Sequence, residues 1–158
     1  MADQSILHNT FVLERSYPVP VERVFAALSE TSSKRHWFYE GENKDLDEFQ
    51  MDFRVGGMEL ARYRYREGTP FNGVTFTNEA QYQNIVPGKR IVAANTMAMD
   101  GRCFSAALIT FEFLPTEKGT DLIFTHQAAF FEGSDGPQIR EMGWRKLLDQ
   151  LGAELARS

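Results

Sequence analysis

Two titratable residues lie inside alternating runs where their side chains could do chemistry: Glu59 in GGMELARYRYR and His126 in DLIFTHQAAF. Alternate residues of a strand share a face. The first run therefore separates Met58, Leu60, Arg62, Arg64 and Arg66 from Glu59, Ala61, Tyr63 and Tyr65. Burying three arginines without partners is very costly. The arginines take the water side, and Glu59 goes inward with Tyr63 and Tyr65. An interior carboxylate needs hydrogen bonds or a cation, or its pKa rises. Glu59 could anchor a polar group in a cavity or act there as a general acid or base. It could also be a strand-end glutamate that solvent reaches, or one paired structurally. His126 is in step with Leu122 and Phe124 and points the same way as they do. A histidine there could be a base or a ligand donor, or a satisfied interior group. No acid, nucleophile or metal partner lies near it in sequence.

The same alternation puts Asn78 and Tyr82 in line with Phe76, and Asn95 in line with Met97. A few polar groups among many apolar ones describes a small-molecule pocket, and also a polar network that fixes a core. In the last helix, Met142 and Trp144 could line a cavity or fill it. The expected ligand-binding set is thus Glu59, Tyr63, Tyr65, Phe76, Asn78, Tyr82, Asn95, Met97, Phe124, His126, Met142 and Trp144. No catalytic residue is assigned.

Other motifs are discounted on chemical grounds. Gly56-Gly57 precedes a strand instead of opening a helix and lacks the GK[ST] ending, so it is read as a tight turn, not a phosphate loop. His8 and His36 have no ligand spacing with His126, and HExxH and CxxC patterns are missing, so neither a metal nor a cofactor is expected. Cys103 has only Arg102 beside it to favour a thiolate and is read as inert.

These residues must be positioned by a particular order of elements. HNTFVLERSY alternates as a strand that Pro18 and Pro20 end. VERVFAALS has Val21, Val24, Phe25 and Leu28 at helical spacing. Thr31 is read as the N-cap of a second short helix, TSSKRHWF, ending near Gly41. GENKDLDE reads as a charged loop. Period two then sets in over LDEFQMDF, with Phe49, Met51 and Phe53 on one face, and over Gly57 to about Arg66. After an EGTP turn it continues through GVTFTNEAQYQNIV, RIVAANTMAM, RCFSAALITFEFL and DLIFTHQAAF. Pro87-Gly88, Asp100-Gly101 and EKGT mark the turns. SDGPQIREMGWRKLLDQLGAELA closes the chain as a long helix, with Ile139, Met142, Leu148, Leu151 and Leu155 as its apolar stripe. Gly143 inside it could permit close approach to the sheet or leave room for a ligand. One strand, two short helices, six antiparallel strands and a long helix make an α+β fold. A long amphipathic helix can bury its stripe only on the concave face of the curved sheet, and what the two walls fail to fill is a cavity.

Composition agrees with one domain. The 158 residues are 42% hydrophobic and 25% charged, ordinary globular values, with 13 Phe among a 13% aromatic content. The net charge of -5 argues against sequence-independent nucleic-acid binding, which needs clustered Lys and Arg. No stretch is apolar enough for a membrane span. The N-terminus lacks signal-peptide character. A single cysteine excludes intramolecular disulfides. The expectation is a cytoplasmic protein without nucleic-acid or membrane partners.

In order along the chain come ERSYPVPVERVFAALS, Trp37, FRVGGMEL, YQNIVPGKRIV, SAALITFEF with GTDLIFTHQ, and GWRKLLDQLG. From about Thr10 to Ala156 this series resembles the SRPBCC superfamily, the START and birch-pollen-allergen-like helix-grip proteins. Within it, the series is similar to AHSA-type bacterial proteins related to the C-terminal domain of the heat-shock-protein ATPase activator. The resemblance implies a helix-grip fold: a curved seven-stranded antiparallel sheet around a long C-terminal helix and an apolar cavity. It implies no single activity, since members include lipid carriers, hormone receptors, polyketide cyclases and chaperone-binding modules. The leading expectation is reversible binding of a small hydrophobic ligand, lipid-like or polyketide-like. A cavity enzyme using Glu59 or His126, or a chaperone or protein-interaction module, are the alternatives. Edge strands or the helix side could also support a homodimer.

Overall fold

A computed structural model describes residues 5–41, 43–66 and 71–157; the EGTP turn expected at 67–70 lies outside them. The chain runs β1 (Leu7–Tyr17), α1 (Val21–Ser29), α2 (Thr31–Lys34), a π-helical turn (Arg35–Tyr39), β2 (Lys44–Met51) and β3 (Met58–Tyr65). It continues through β4 (Thr75–Val86), β5 (Arg90–Met99), β6 (Arg102–Thr116), β7 (Gly119–Phe130) and α3 (Pro137–Ala156). All neighbouring strands pair antiparallel in the order β1-β7-β6-β5-β4-β3-β2. This is the expected α+β helix-grip fold. Its inner face carries the alternate residues of every strand, among them Leu13, Ala61, Phe76, Ala93, Phe111 and Phe124, all buried.

The strand expected over LDEFQMDF is β2, and it begins at Lys44, inside the charged segment GENKDLDE read as a loop. A bulge between Leu46 and Glu48 turns Asp47 and Glu48 to the same side, which hides the alternation from a period-two reading. Those acids meet the outward arginines of β3. Arg62 pairs with Glu48, Arg64 pairs with Asp47 through two bonds of 2.8 Å, and Arg66 reaches Asp45 at 2.9 Å. The RYRYR arginines thus face outward, as expected, against a row of carboxylates.

The expected helix from Thr31 to about Gly41 breaks into two pieces. Glu30, not Thr31, precedes the first helical residue, and the chain widens into the π-helical turn at Arg35. The wider turn buries three consecutive side chains, Trp37, Phe38 and Tyr39. A regular α-helix would have turned one of them away. Trp37 Nε1 donates to the carbonyl of Ala27 at 2.8 Å, which pins the turn against α1.

Gly56-Gly57 is a turn, and its two glycines are needed for different reasons. Gly56 has φ +85°, whereas a Cβ on Gly57 would lie 2.1 Å from the carbonyl oxygen of Asp52. The turn is bonded to β4, with Gly56 N donating to Tyr82 O at 2.8 Å and Tyr82 N donating to Gly57 O at 3.0 Å. That pair of hydrogen bonds fixes Tyr82 beside the start of β3, where Glu59 lies.

α3 departs from its expected stripe at the N-terminal end. Its buried line is Arg140, Trp144, Leu148, Leu151 and Leu155, while Ile139 is 58% and Met142 68% exposed. At 100° per residue Met142 lies about 200° from both Arg140 and Trp144, on the far side of the helix. Close approach to the sheet occurs at Gly152, where a Cβ would stand 3.3 Å from the Tyr17 ring, and not at Gly143, where it would meet nothing within 4 Å. Tyr17 also donates to the carbonyl of Leu148 at 2.7 Å. The helix is therefore fastened to β1 along its second half and stands off the sheet along its first.

Candidate functional site

Between α3, the sheet and the π-helical turn lies a cavity of about 790 Å³, within the usual range of ligand pockets. The sheet wall includes Tyr63, Phe76, Asn78, Tyr82, Asn95 and Met97. The helix wall includes Arg140, Gly143, Trp144 and Leu147, and the π-helical turn closes one end. Gly41, Asn43, Phe71, Ile139 and Lys146 line it while remaining exposed, so they mark its rim.

Glu59 is only 4% exposed and lines this cavity. Three elements converge on its carboxylate. Lys34 Nζ at the end of α2 lies 2.7 Å from Oε1, Tyr82 OH on β4 donates to Oε1 at 2.5 Å, and Tyr39 OH in the π-helical turn donates to Oε2 at 3.2 Å. The chain of bonds continues along the wall. Asn78 donates to Tyr39 OH at 2.9 Å, and Asn95 donates to Asn78 Oδ1. Burial, and then the negative charge of Glu59, push the Tyr39 and Tyr82 hydroxyls well above the usual tyrosine range. Both hold their protons and act as donors to a carboxylate whose charge Lys34 balances. Lys34 itself is buried, with Nζ 5.2 Å from the Phe38 ring centroid.

The second polar cluster sits at the start of α3. Arg140, 6% exposed, is held by Asp135 through bonds of 2.8 and 3.0 Å and donates to Ser105 Oγ at 2.8 Å. Its guanidinium lies over Phe130 at 5.0 Å and Phe104 at 5.8 Å. His126 Nε2 is 3.5 Å from the same guanidinium, and its ring stacks on Phe11 with centroids 4.6 Å apart. Burial and then Arg140 lower the His126 pKa to about 4, so the imidazole is neutral at neutral pH. Its Nδ1 is buried without a hydrogen-bond partner among the described residues.

Glu59, Tyr63, Tyr65, Phe76, Asn78, Tyr82, Asn95 and Met97 line the cavity on the faces where the alternation placed them, and Trp144 lines it from α3. Three expected residues do not. Phe124 points inward but is covered by Trp144, with ring centroids 4.2 Å apart, and His126 lies behind Arg140. Met142 points into solvent. Glu59 on β3 and His126 on β7 are four strands apart, roughly 19 Å along the sheet. They share no partner, so they do not form one acid–base pair. Among the described residues no group of three or more His, Cys, Asp or Glu side chains is placed to hold a metal ion.

Residues 18–156 match the family described as Activator of Hsp90 ATPase homolog 1-like protein. The chain belongs to this family. No curated protein matches it. Among solved structures, the Mll3558 protein from Rhizobium loti is 42% identical, with TM-score 0.84 and coverage of 96% of this chain and 99% of that one. An uncharacterized protein from Rhizobium leguminosarum is 35% identical, with TM-score 0.88 and 98% of each chain covered. The AHSA1-like protein from Aeromonas hydrophila, at 17% identity and TM-score 0.68 over 94% of this chain and 92% of that one, shares the fold. Family membership thus agrees with the resemblance read from the motifs, and it leaves the activity to be argued from the site. Among the described residues no helix is long and apolar enough to cross a membrane.

Sequence reasoning missed Lys34, Tyr39, Arg140 and Asp135. For Arg140 a signal was present: stepping back four residues at a time from Leu148 through Trp144 lands on it. For Lys34 and Tyr39 the α-helical period fails because the turn between them is π-helical.

Proposed function

We propose that the protein reversibly binds an apolar or aromatic small molecule, lipid-like or polyketide-like, between its sheet and α3. The observation that carries this reading is the cavity of about 790 Å³. Its walls include many aromatic and aliphatic side chains, and its buried charges Glu59 and Arg140 are engaged by partners of their own. Tyr63, Phe76, Met97, Phe104 and Trp144 would supply affinity through burial. Asn78 and Asn95 at the end of the hydrogen-bonded chain from Glu59 would orient the ligand's polar atoms. Glu59 itself is already engaged by Lys34, Tyr82 and Tyr39, which suits a wall group that holds the site's shape. Exposed large apolar side chains are spread over several elements, among them Val12, Val55, Leu108, Leu114 and Met142. The interior cavity is therefore the better candidate for recognition than an outer surface.

The test is titration of the full chain with decanol and with naphthalenemethanol, neutral probes of two shapes, followed by calorimetry and by tryptophan emission. Saturable one-to-one binding is expected for at least one probe. It should be weakened in Met97→Trp, which adds an indole ring to the cavity wall from β5 while leaving the circular-dichroism spectrum unchanged. If neither probe binds, or if Met97→Trp binds as well as the natural chain, the cavity is not the site.

A further inference from the structure

The charged residues around the cavity do not balance. Lys34 is paired with Glu59, Arg140 with Asp135, Arg157 with Glu154, and Glu40 with Arg35. Two lining residues are left, Lys44 and Lys146, and neither forms an ion pair among the described residues. Both are cations. Lys146 is exposed on the rim, on α3. Lys44, the first residue of β2, is half-buried just inside, with Nζ 5.4 Å from the Tyr63 ring centroid and 6.0 Å from that of Tyr65.

We infer that the ligand carries a carboxylate, which sits at the cavity rim between Lys44 and Lys146 while its apolar body enters toward Phe76, Met97 and Phe104. This rests on the cavity-binding reading and names the ligand's chemical class within it. The physical ground is that a partly desolvated cation facing another cation is costly until an anion arrives. Burial, and then Lys146, bring Lys44 down to about 8, and among the described residues its ammonium is met by the aromatic faces of Tyr63 and Tyr65. An incoming carboxylate supplies the missing countercharge to both lysines at once. A cationic head would meet the same two lysines and be repelled, and a neutral head would leave them uncompensated. The other ionised groups of the lining are neutralised by their own partners and impose no comparable demand.

The experiment compares matched probes on the full chain at neutral pH and low salt: decanoate, decanol and decyltrimethylammonium, and naphthoate against naphthalenemethanol. Carboxylates are expected to bind on the order of tenfold more tightly than the matching alcohols, the worth of one charge-assisted hydrogen bond. The ammonium probe should be weakest. Replacing both lysines, Lys44→Met with Lys146→Met, should bring the acid-to-alcohol affinity ratio to about one. Folding is not at risk, because Lys44→Met removes a desolvated charge. Equal affinity for acid and alcohol in the natural chain, or an acid preference that survives the double substitution, overturns the carboxylate assignment while alcohol binding still supports a binding cavity. Absence of saturable binding by every probe overturns both.

Discussion

Glu59 and Arg140 are both buried charges on the cavity wall, yet they are compensated in different ways. The partners of Glu59 come from afar: Lys34 from α2, Tyr39 from the π-helical turn and Tyr82 from β4, each supplying a donor at 3.2 Å or less. Arg140 takes its countercharge from Asp135, five residues earlier, and meets the sheet at Ser105, at His126 and at the rings of Phe104 and Phe130, none of them charged at neutral pH. The first cluster is closed, with both carboxylate oxygens occupied, and it ties helix, turn and sheet together. The second stays partly open, because the Asp135 side chain is 20% exposed and His126 keeps an unpartnered nitrogen. The contrast separates a group that determines whether this wall forms from one whose loss the surroundings can absorb.

The sharpest way to break the comparison is to strand one charge of the closed cluster. Glu59→Ala leaves Lys34 buried without a countercharge and removes the acceptor of two tyrosines. Losing one partner of a buried pair costs about 3–5 kcal/mol. Urea unfolding of Glu59→Ala should therefore show a large drop in midpoint. The double substitution Glu59→Gln with Lys34→Met should recover most of it, because the amide oxygen still accepts from Tyr82 and no charge is left to compensate. A Glu59→Ala protein as stable as the natural one would show that water already reaches this carboxylate.

The open cluster should be sensitive to acid instead. The folded-state pKa of His126 is lowered to about 4 by burial and Arg140, against roughly 6.5 in the unfolded chain. Between these values the unfolded chain binds a proton that the folded chain does not, so stability falls as pH drops from about 6.5 to about 4. The loss from this group is about 3 kcal/mol at its limit. It should shrink in His126→Leu, which has no proton to bind. The histidine ring proton shifts give a direct check. A midpoint near 6.5 would mean that the imidazole is solvated and the cluster more open than the geometry states.

The same two clusters show what a sequence can and cannot convey. Glu59 was legible because three arginines in strict alternation force their face outward, and a charge has nowhere else to go. Asn78, Tyr82 and Asn95 followed by the same period. β2 was legible from Leu46 onward, but its first residues, Lys44 and Asp45, were not, since one bulge at Asp47 puts two acids in succession on the outer face and mimics a loop. The inward direction of His126 and Phe124 was right, but alternation says nothing of what lies above a sheet. Trp144 and Arg140 of α3 cover them. Met142 was misplaced because an apolar residue drew the stripe toward itself, whereas the helix buries the charged Arg140 and lets Met142 face water. The partners of Glu59 depend on a π-helical turn that has no hydrophobic period of its own.

The smallest effect is the one that tests whether the closed cluster extends along the cavity wall. Tyr39 OH donates to Glu59 Oε2 at 3.2 Å and accepts from Asn78 at 2.9 Å, so among the described residues it is the side-chain link between the carboxylate and the asparagine pair. Tyr39→Phe keeps the ring, its packing on Phe38 at 4.5 Å and on Phe49 at 5.1 Å, and removes one oxygen. A net hydrogen bond is worth about 1 kcal/mol, and Lys34 and Tyr82 still hold Oε1, so the loss should be close to that figure. If the asparagines are positioned through Tyr39, their side-chain amide NMR signals should shift and broaden in Tyr39→Phe, while those of Gln50 and Gln83, exposed on β2 and β4, stay in place. Unchanged asparagine signals would mean that the Asn95–Asn78 bond and the carbonyl of Glu79 suffice to fix them. The closed cluster would then end at Tyr39, leaving the asparagines a separate polar feature of the wall.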